Sequence, residues 1–117
     1  MLILELAEHS AIQLIGSQML VKEIQETPDK YKCAILQMIY SLCTEEISVD
    51  RSILTRAEEI RHISNIKYKD SIHLACAESA NADVLLTTDK KFLNNCHRIT
   101  TYTKVMNPNE WLLEVLY

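Results

Sequence analysis

The stretch DSIHLACAESANADVLLTTDKKF, residues 70–92, decides the fold. It begins with Asp70, continues as a helix-like run, turns at Asn81 and passes into an apolar segment at residues 84–88. A short and almost continuously apolar segment is typical of a strand buried in a parallel sheet. Asp89 follows that strand directly. The stretch therefore predicts a compact helix–strand unit with a carboxylate at each end.

The rest of the chain alternates strand-like and helix-like segments, without an internal repeat. The predicted strands are short apolar runs at residues 12–15, 46–49, 84–88 and 103–107. LILELAEH, residues 2–9, is predicted to end a helix. Five of the other predicted helices start with a capping residue or a Pro, at Ser17, Pro28, Asp50, Asp70 and Pro108, and a short helix is predicted from Lys90 to Asn95. Strands separated by helices indicate an α/β fold with a largely parallel sheet flanked by helices.

Length and composition indicate one domain over residues 1–117, because the chain can bury one core and has only one Gly and two Pro. No apolar run approaches the roughly 20 residues that cross a bilayer. MLILELAEHSA, residues 1–11, carries acids where a signal peptide has basic residues. We therefore expect a soluble, cytoplasmic protein without membrane association.

The charges and cysteines exclude several classes of site. A net charge of −4 argues against a protein that holds nucleic acid by bulk electrostatics, so any nucleic-acid chemistry needs a local site. The four cysteines form no CxxC pair, which suggests neither a zinc site nor a disulfide framework. Buried, reduced thiols are the expectation for Cys33, Cys43, Cys76 and Cys96.

Asp70 and Asp89 are the first candidate site residues. Ligands of parallel sheets gather at the carboxyl ends of the strands, and Asp89 lies just after one. Asp70 opens a helix and can face the same edge. Each is equally explained as a helix N-cap, the commoner role of Asp at such a position. Glu23 read alone is a solvated helix residue, so composition and spacing leave the question open.

Two segments resemble PIN domains, a family of metal-dependent nucleases. KDSIHLACAESANADVLLTTDKKFL, residues 69–93, has the family's helix-opening acid, its turn, its hydrophobic strand and its TTD motif. IQLIGSQMLVKEIQETPD, residues 12–29, resembles the segment in which a strand leads through a Ser into a helix with an acid. The site that the resemblance implies consists of catalytic and metal-holding Glu23, Asp70 and Asp89, with Ser17 and Thr88 as accessory polar residues.

The resemblance also implies the reaction, endonucleolytic hydrolysis of RNA. Clustered carboxylates repel one another unless a cation lies among them, and Mg²⁺ or Mn²⁺ prefers oxygen ligands. Such an ion makes a water more acidic and shields charge on the phosphate. The lysines that the resemblance offers as RNA contacts are Lys67, Lys69, Lys90 and Lys91.

The amino end departs from the family pattern. PIN domains open with a strand that ends in an aspartate and lies in the middle of the sheet, and no such strand precedes Ser17. The resemblance therefore implies a chain truncated at the amino end, without this central strand and its acid, and with weak or absent activity. Four arrangements of the gap stay open: MLILEL takes the strand's place with Glu5 as surrogate acid, the neighbouring strands close directly, a second copy supplies a strand, or a separate peptide does.

Three functions remain open from the sequence. The first is a VapC-like endoribonuclease, the toxin of a type II toxin–antitoxin pair whose antitoxin covers the acidic site. The second is a non-catalytic PIN-like remnant that binds RNA or a protein without cutting. The third is a plain α/β interaction module in which the acids are only helix caps.

Overall fold

The computed structural model describes residues 2–116, which divide into two compact units. The first runs to Ser48 and the second begins at Val49. Within residues 2–116 the chain forms seven helices and four short strands, a mixed α/β fold as predicted. The single domain over residues 1–117 stays a prediction.

The first unit contains three helices and one pair of strands. Its elements are, in chain order, α1 (Leu2–Glu8), β1 (Leu14–Ser17), α2 (Gln18–Gln25), α3 (Lys30–Tyr40) and β2 (Cys43–Ile47). Strands β1 and β2 are parallel, and Ser17 is in register with Ile47. The predicted strands at residues 12–15 and 46–49 are thus displaced by two or three residues.

Local hydrogen bonds explain where these helices begin. The Ser17 hydroxyl accepts from the Leu20 backbone N–H at 3.1 Å, so Ser17 caps α2 as predicted. Helix α3 is capped by Asp29, whose carboxylate accepts hydrogen bonds from two backbone N–H groups. The helix therefore begins at Lys30 and not at Pro28, where the sequence predicted its start. An aspartate cap satisfies two helix-end donors at once, which explains the shift by two residues.

The amino-terminal segment is helical and does not replace a strand. Residues Leu2–Glu8 form α1 and include Glu5, so the alternative in which MLILEL fills the gap is wrong over these residues, while Met1 lies outside the described residues. The helix ends at Glu8, and Ser10, two residues further on, has a left-handed φ of 58°. The Ser10 N–H donates to Ala7 and the Ala11 N–H donates to Leu6, the Schellman pattern. These two hydrogen bonds stabilise the helical conformation, and they could not form if the segment were a strand.

The glycine of β1 makes room for an aromatic ring. A Cβ at Gly16 would lie 2.5 Å from Cε2 and Oη of Tyr40, the last residue of α3. The Tyr40 hydroxyl donates a hydrogen bond to Glu46 of β2. Tyr40 therefore ties α3 to both strands of the first unit.

The second unit contains four helices and another parallel pair. Its elements are α4 (Arg51–His62), α5 (Tyr68–Ser79), β3 (Val84–Leu86), α6 (Lys90–Cys96), β4 (Lys104–Met106) and α7 (Pro108–Leu116). Strands β3 and β4 are parallel, with Leu85 opposite Val105. The predicted parallel pairing is confirmed, although the described strands form two separate two-stranded sheets.

The core of the second unit lies where α4 and α5 pack together. Helix α4 buries Ile53, Ala57 and Ile60, which repeat at helical spacing, and Asp50 caps it through the Ile53 N–H as predicted. Helix α5 buries Leu74 and its apolar neighbours. Burial of these side chains contributes about 1.5–3 kcal/mol for each large residue.

Candidate functional site

Asp70 and Asp89 line one small cavity of the second unit. The cavity, here called the acidic cavity, measures about 10 Å³, enough for one water or a small ion. Asp70 belongs to α5 and Asp89 directly precedes α6. The structure thus brings together two of the three acids that the sequence marked as site residues.

Asp89 caps α6 with one of its carboxylate oxygens. Its Oδ1 accepts from the backbone N–H groups of Lys91 and Phe92 at 3.0 and 3.1 Å. Its own N–H donates to the hydroxyl of Thr87 at 3.1 Å. The predicted cap is confirmed, and because the cap uses only Oδ1, Oδ2 is left to bind a ligand.

Asp70 is not a helix cap. Helix α5 begins at Tyr68, after an N-cap Lys67 that makes no side-chain capping bond, so Asp70 lies in the first helical turn. The predicted start at Asp70 was therefore two residues late. Burial raises the pKa of the nearby Cys96 thiol to about 12, and the charge of Asp70 contributes to that shift. Asp70 thus lies near Cys96 at the end of α6, and its place in the first turn of α5 also suits the helix dipole.

Two of the four candidate RNA-contacting lysines, Lys67 and Lys91, also line the acidic cavity. Both are exposed residues. Lys69 and Lys90 are exposed residues of α5 and α6. A role in RNA binding stays a prediction for all four.

Sequence reasoning missed two asparagines that line the acidic cavity, Asn65 and Asn95. Asn95 is buried on the same face of α6 as Phe92 and Cys96, and its Nδ2 donates to the Asn65 carbonyl at 3.5 Å. A polar residue at the spacing of an apolar helix face was the signal in the sequence. Asn95 therefore joins α6 to the turn before α5.

The remaining candidate residues are not part of this cavity. Glu23 lies in α2 and Ser17 precedes it, both in the first unit, and Glu23 is half-buried. Thr88 is exposed in the second unit, next to Thr87. The convergence of Glu23 with Asp70 and Asp89 stays a prediction.

The donors of the acidic cavity suit a hard, hydrated cation. No group of three or more His, Cys, Asp or Glu side chains within residues 2–116 is arranged to hold a metal ion. Mg²⁺ needs fewer, because it is commonly held by one or two carboxylates together with waters and substrate phosphates. The two carboxylates that line the cavity therefore meet the number of protein ligands that such an ion needs.

The four cysteines are free thiols. Cys76 and Cys96 are buried as expected, whereas Cys33 and Cys43 are half-buried.

Within the described residues, no helix has the length and apolar character needed to cross a membrane.

Comparison with known proteins identifies the family. A family model described as PIN domain matches residues 34–97, more than half of the chain. The matched segment includes Asp70 and Asp89 but not Ser17 or Glu23. Comparisons with curated proteins and with solved structures gave no match. The resemblance inferred from the sequence is thereby confirmed, and the chain belongs to the PIN domain family, a nuclease-like superfamily whose members generally use divalent metals.

Proposed function

We propose that this protein is an endoribonuclease that depends on Mg²⁺ or Mn²⁺. The observation that carries the proposal is the acidic cavity, which Asp70 and Asp89 line together in a PIN-domain chain. Two carboxylates that line one cavity offer a hard divalent cation the oxygen ligands it prefers.

Asp70 and Asp89 hold the cation, and Glu23 is proposed as the third acid. When bound, Mg²⁺ or Mn²⁺ acidifies a coordinated water and shields charge that develops on the phosphodiester. Lys67 and Lys91, which line the same cavity, bind the phosphates on either side of the cut. The cap bonds of Asp89 keep its carboxylate oriented while Oδ2 binds.

The activity is proposed to be weak. Only two carboxylates line the acidic cavity in the described second unit, whereas each added carboxylate strengthens the binding of a hard cation. Weak cation binding lowers the fraction of protein that carries an activated water. Cleavage should therefore need a high metal concentration.

Cleavage of single-stranded RNA by Asp89→Asn and Asp70→Asn variants tests the proposal. We expect the wild-type chain to cut in Mn²⁺ and to stop in EDTA, and we expect either variant to lose the activity. The matched control is Asp29→Asn, because Asp29 caps α3 through the same pair of backbone bonds, to residues two and three further along. Cleavage that survives both EDTA and Asp89→Asn contradicts the proposal, and cation binding without any cleavage identifies a non-catalytic PIN-like remnant.

The proposed cellular role is that of a cytoplasmic toxin paired with an antitoxin protein. An antitoxin that covers the acidic cavity would keep the cation and RNA away from Asp70 and Asp89. Induced expression of the chain should arrest growth of a bacterial host, and Asp89→Asn should relieve the arrest. Equal arrest by both proteins would contradict the role.

Strand exchange between two copies is proposed as the mode of self-association. Each described strand is hydrogen-bonded to a single neighbour, in pairs β1–β2 and β3–β4. A strand with one partner can accept a second strand along its other edge. Light scattering should show a fraction of dimer that increases with protein concentration. A strict monomer at all concentrations would contradict the exchange.

A further inference from the structure

A second concavity adjoins the acidic cavity and shares two of its walls. This concavity, here called the basic cleft, has a volume of about 300 Å³. Asn65 and Asn95 line both the basic cleft and the acidic cavity. A molecule bound in the cleft would therefore end next to Asp70 and Asp89.

The basic cleft has the chemistry of a site for one nucleotide. Its charged and titratable lining residues are His62 and Arg98, and none of its lining residues within the described chain is acidic. Arg guanidinium groups bind phosphate at two points and also stack on bases. The amides of Asn65 and Asn95 offer donors and acceptors for a base edge. A volume of about 300 Å³ lies at the lower end of the range for small-molecule sites, which suits one nucleotide.

An apolar wall and a fixed backbone complete the cleft. Ile63, 57% exposed, lines it and offers an apolar surface to a base or ribose. The Ser64 hydroxyl donates to the Ile60 carbonyl and accepts from the Ile66 N–H, which holds the turn after α4. The Arg98 N–H donates to the Asn95 carbonyl at 3.3 Å, which holds the opposite side. The cleft is therefore built before any ligand arrives.

A simpler role for the two basic residues is to compensate helix dipoles. His62 is the last residue of α4, and Arg98 follows α6 by two residues. Dipole compensation explains a charge near each helix end, but it does not explain why both line one concavity with two asparagines. The shared walls with the acidic cavity favour a substrate-binding role.

We infer that the basic cleft binds one nucleotide of a single-stranded RNA, adjacent to the phosphodiester held at the acidic cavity. The inference rests on the proposed ribonuclease function and names a part of its substrate site. Arg98 binds a phosphate of the strand, His62 and Ile63 pack on the base, and the asparagines orient it. The net charge of −4 argues against RNA binding by bulk electrostatics, so binding needs a local site such as this cleft.

The experiment measures binding of a fluorescein-labelled oligouridylate by anisotropy in EDTA, so that no cation-dependent cleavage occurs. We expect Arg98→Gln to raise Kd on the order of tenfold, since it removes a charged hydrogen-bond donor. The slope of log K against log salt should shrink by about 0.7, the value for one lost phosphate contact with a single strand. His62→Gln should raise Kd with a smaller change in that slope.

The matched control is Arg51→Gln, which removes the same charge at the other end of α4 and away from the cleft. We expect this variant to bind RNA like the wild-type chain. Equal losses in Arg98→Gln and Arg51→Gln, or no binding by the wild-type chain, would overturn the inference. Equal affinity for the corresponding oligodeoxyuridylate, with the same dependence on Arg98, would overturn the assignment to RNA.

The outcome for the cleft is separable from the outcome for the enzyme. If the wild-type chain never cleaves but Arg98→Gln still weakens RNA binding selectively, the basic cleft stands and the ribonuclease proposal falls. If the wild-type chain cleaves and Arg98→Gln leaves Kd unchanged, the basic cleft falls and the ribonuclease proposal stands.

Discussion

The guanidinium group of Arg56 binds the carboxylate of Glu78 at two points. Arg56 Nε lies 2.8 Å from Glu78 Oε1, and Nη2 lies 3.2 Å from Oε2. The Glu78 side chain is only 6% exposed, and its Oε2 also accepts the Tyr102 backbone N–H at 2.7 Å. The Tyr102 ring completes the arrangement, with its centroid 5.0 Å from Arg56 Cζ. Glu78 therefore joins α4, α5 and the segment before β4.

Removing the charge of Glu78 should destabilise the second unit. Glu78→Gln keeps the shape but turns an amide donor toward at least one of the three N–H groups that the carboxylate accepts, which costs about 2–3 kcal/mol for a pair of this burial. Urea unfolding measures the change in the free energy of unfolding. The control is Glu58→Gln, whose partner Arg61 lies 3.1 Å away on the exposed surface of α4. The control should lose less than about 0.5 kcal/mol, and equal losses would contradict this account.

The hydroxyl of Tyr40 should make the stability of the first unit depend on alkaline pH. Burial raises the pKa of Tyr40 above its ordinary value, and the hydrogen bond and charge of Glu46 raise it further. Below the ordinary value, near 10, the folded and unfolded chains both keep the proton. Above it, the unfolded chain loses the proton first, so the free energy of unfolding falls as the pH rises, by at most about 1.4 kcal/mol per pH unit and by less because solvent screens this exposed hydrogen bond.

Urea unfolding from neutral to strongly alkaline pH measures this loss, and tyrosinate absorbance follows the ionisation. Glu46→Gln should shrink the loss, because the hydrogen bond to a charged group and the repulsion both disappear. Tyr40→Phe should remove this contribution altogether. The control Glu45→Gln changes the neighbouring exposed residue of β2 and should keep the wild-type slope. A slope that survives Tyr40→Phe would contradict the assignment.

The end of α1 should be stabilised by a glycine. Ser10 holds a left-handed φ of 58°, which costs an L-residue about 1–2 kcal/mol. Ser10→Gly removes that strain but adds entropy to the unfolded chain, for a net gain of about 0.5–1 kcal/mol. Thermal unfolding measures the gain. The control Ser79→Gly places glycine inside the last turn of α5, where it should destabilise, and the same sign at both positions would contradict the prediction.

Addition and removal of metal should change the melting temperature through Asp89. A ligand that binds only the folded state stabilises it by RT ln(1 + [L]/Kd), so Mn²⁺ at about ten times Kd adds roughly 1.4 kcal/mol. We expect Mn²⁺ to raise the melting temperature, EDTA to reverse the shift, and Asp89→Asn to abolish it. Asp29→Asn removes the corresponding cap charge of α3 and should keep the full shift. A shift that persists in Asp89→Asn would place the cation elsewhere.

Helix starts were predicted well where a short side chain binds the next turn. Ser17, Asp50 and Asp89 each accept a backbone N–H within three residues, so the cap is encoded by neighbours in the sequence. The predicted turn at Asn81 is also confirmed, with a φ of 54° and the Schellman bonds of its neighbours. The start of α5 was missed because Lys67 makes no side-chain capping bond that a sequence pattern can reveal.

The apolar pattern of the sequence predicted the buried faces of the helices less well than it predicted their starts. The sequence predicts an inward-facing stripe of Ile53, Leu54, Ala57 and Ile60 on α4, and three of these residues are buried, but Leu54 is 39% exposed. The sequence likewise predicts an apolar stripe of Ala34, Ile35, Met38 and Leu42 on α3, yet Ile35 is 41% and Met38 is 71% exposed, and Leu42 lies beyond the end of the helix. Spacing defines a stripe, but burial depends on whether another element packs against it. The sequence therefore predicted the helix and not its exposure.

The sequence by itself determined the α/β alternation, the parallel pairing, the helix caps at Ser17, Asp50 and Asp89, and the two acids at the ends of residues 70–89. Each of these depends on contacts between near neighbours or on a simple apolar period. Only the tertiary structure decided that Asp70 and Asp89 share a cavity and that Asn65 and Asn95 separate it from the basic cleft. A cavity exists where packed segments fail to fill space, and that depends on side chains distant in sequence.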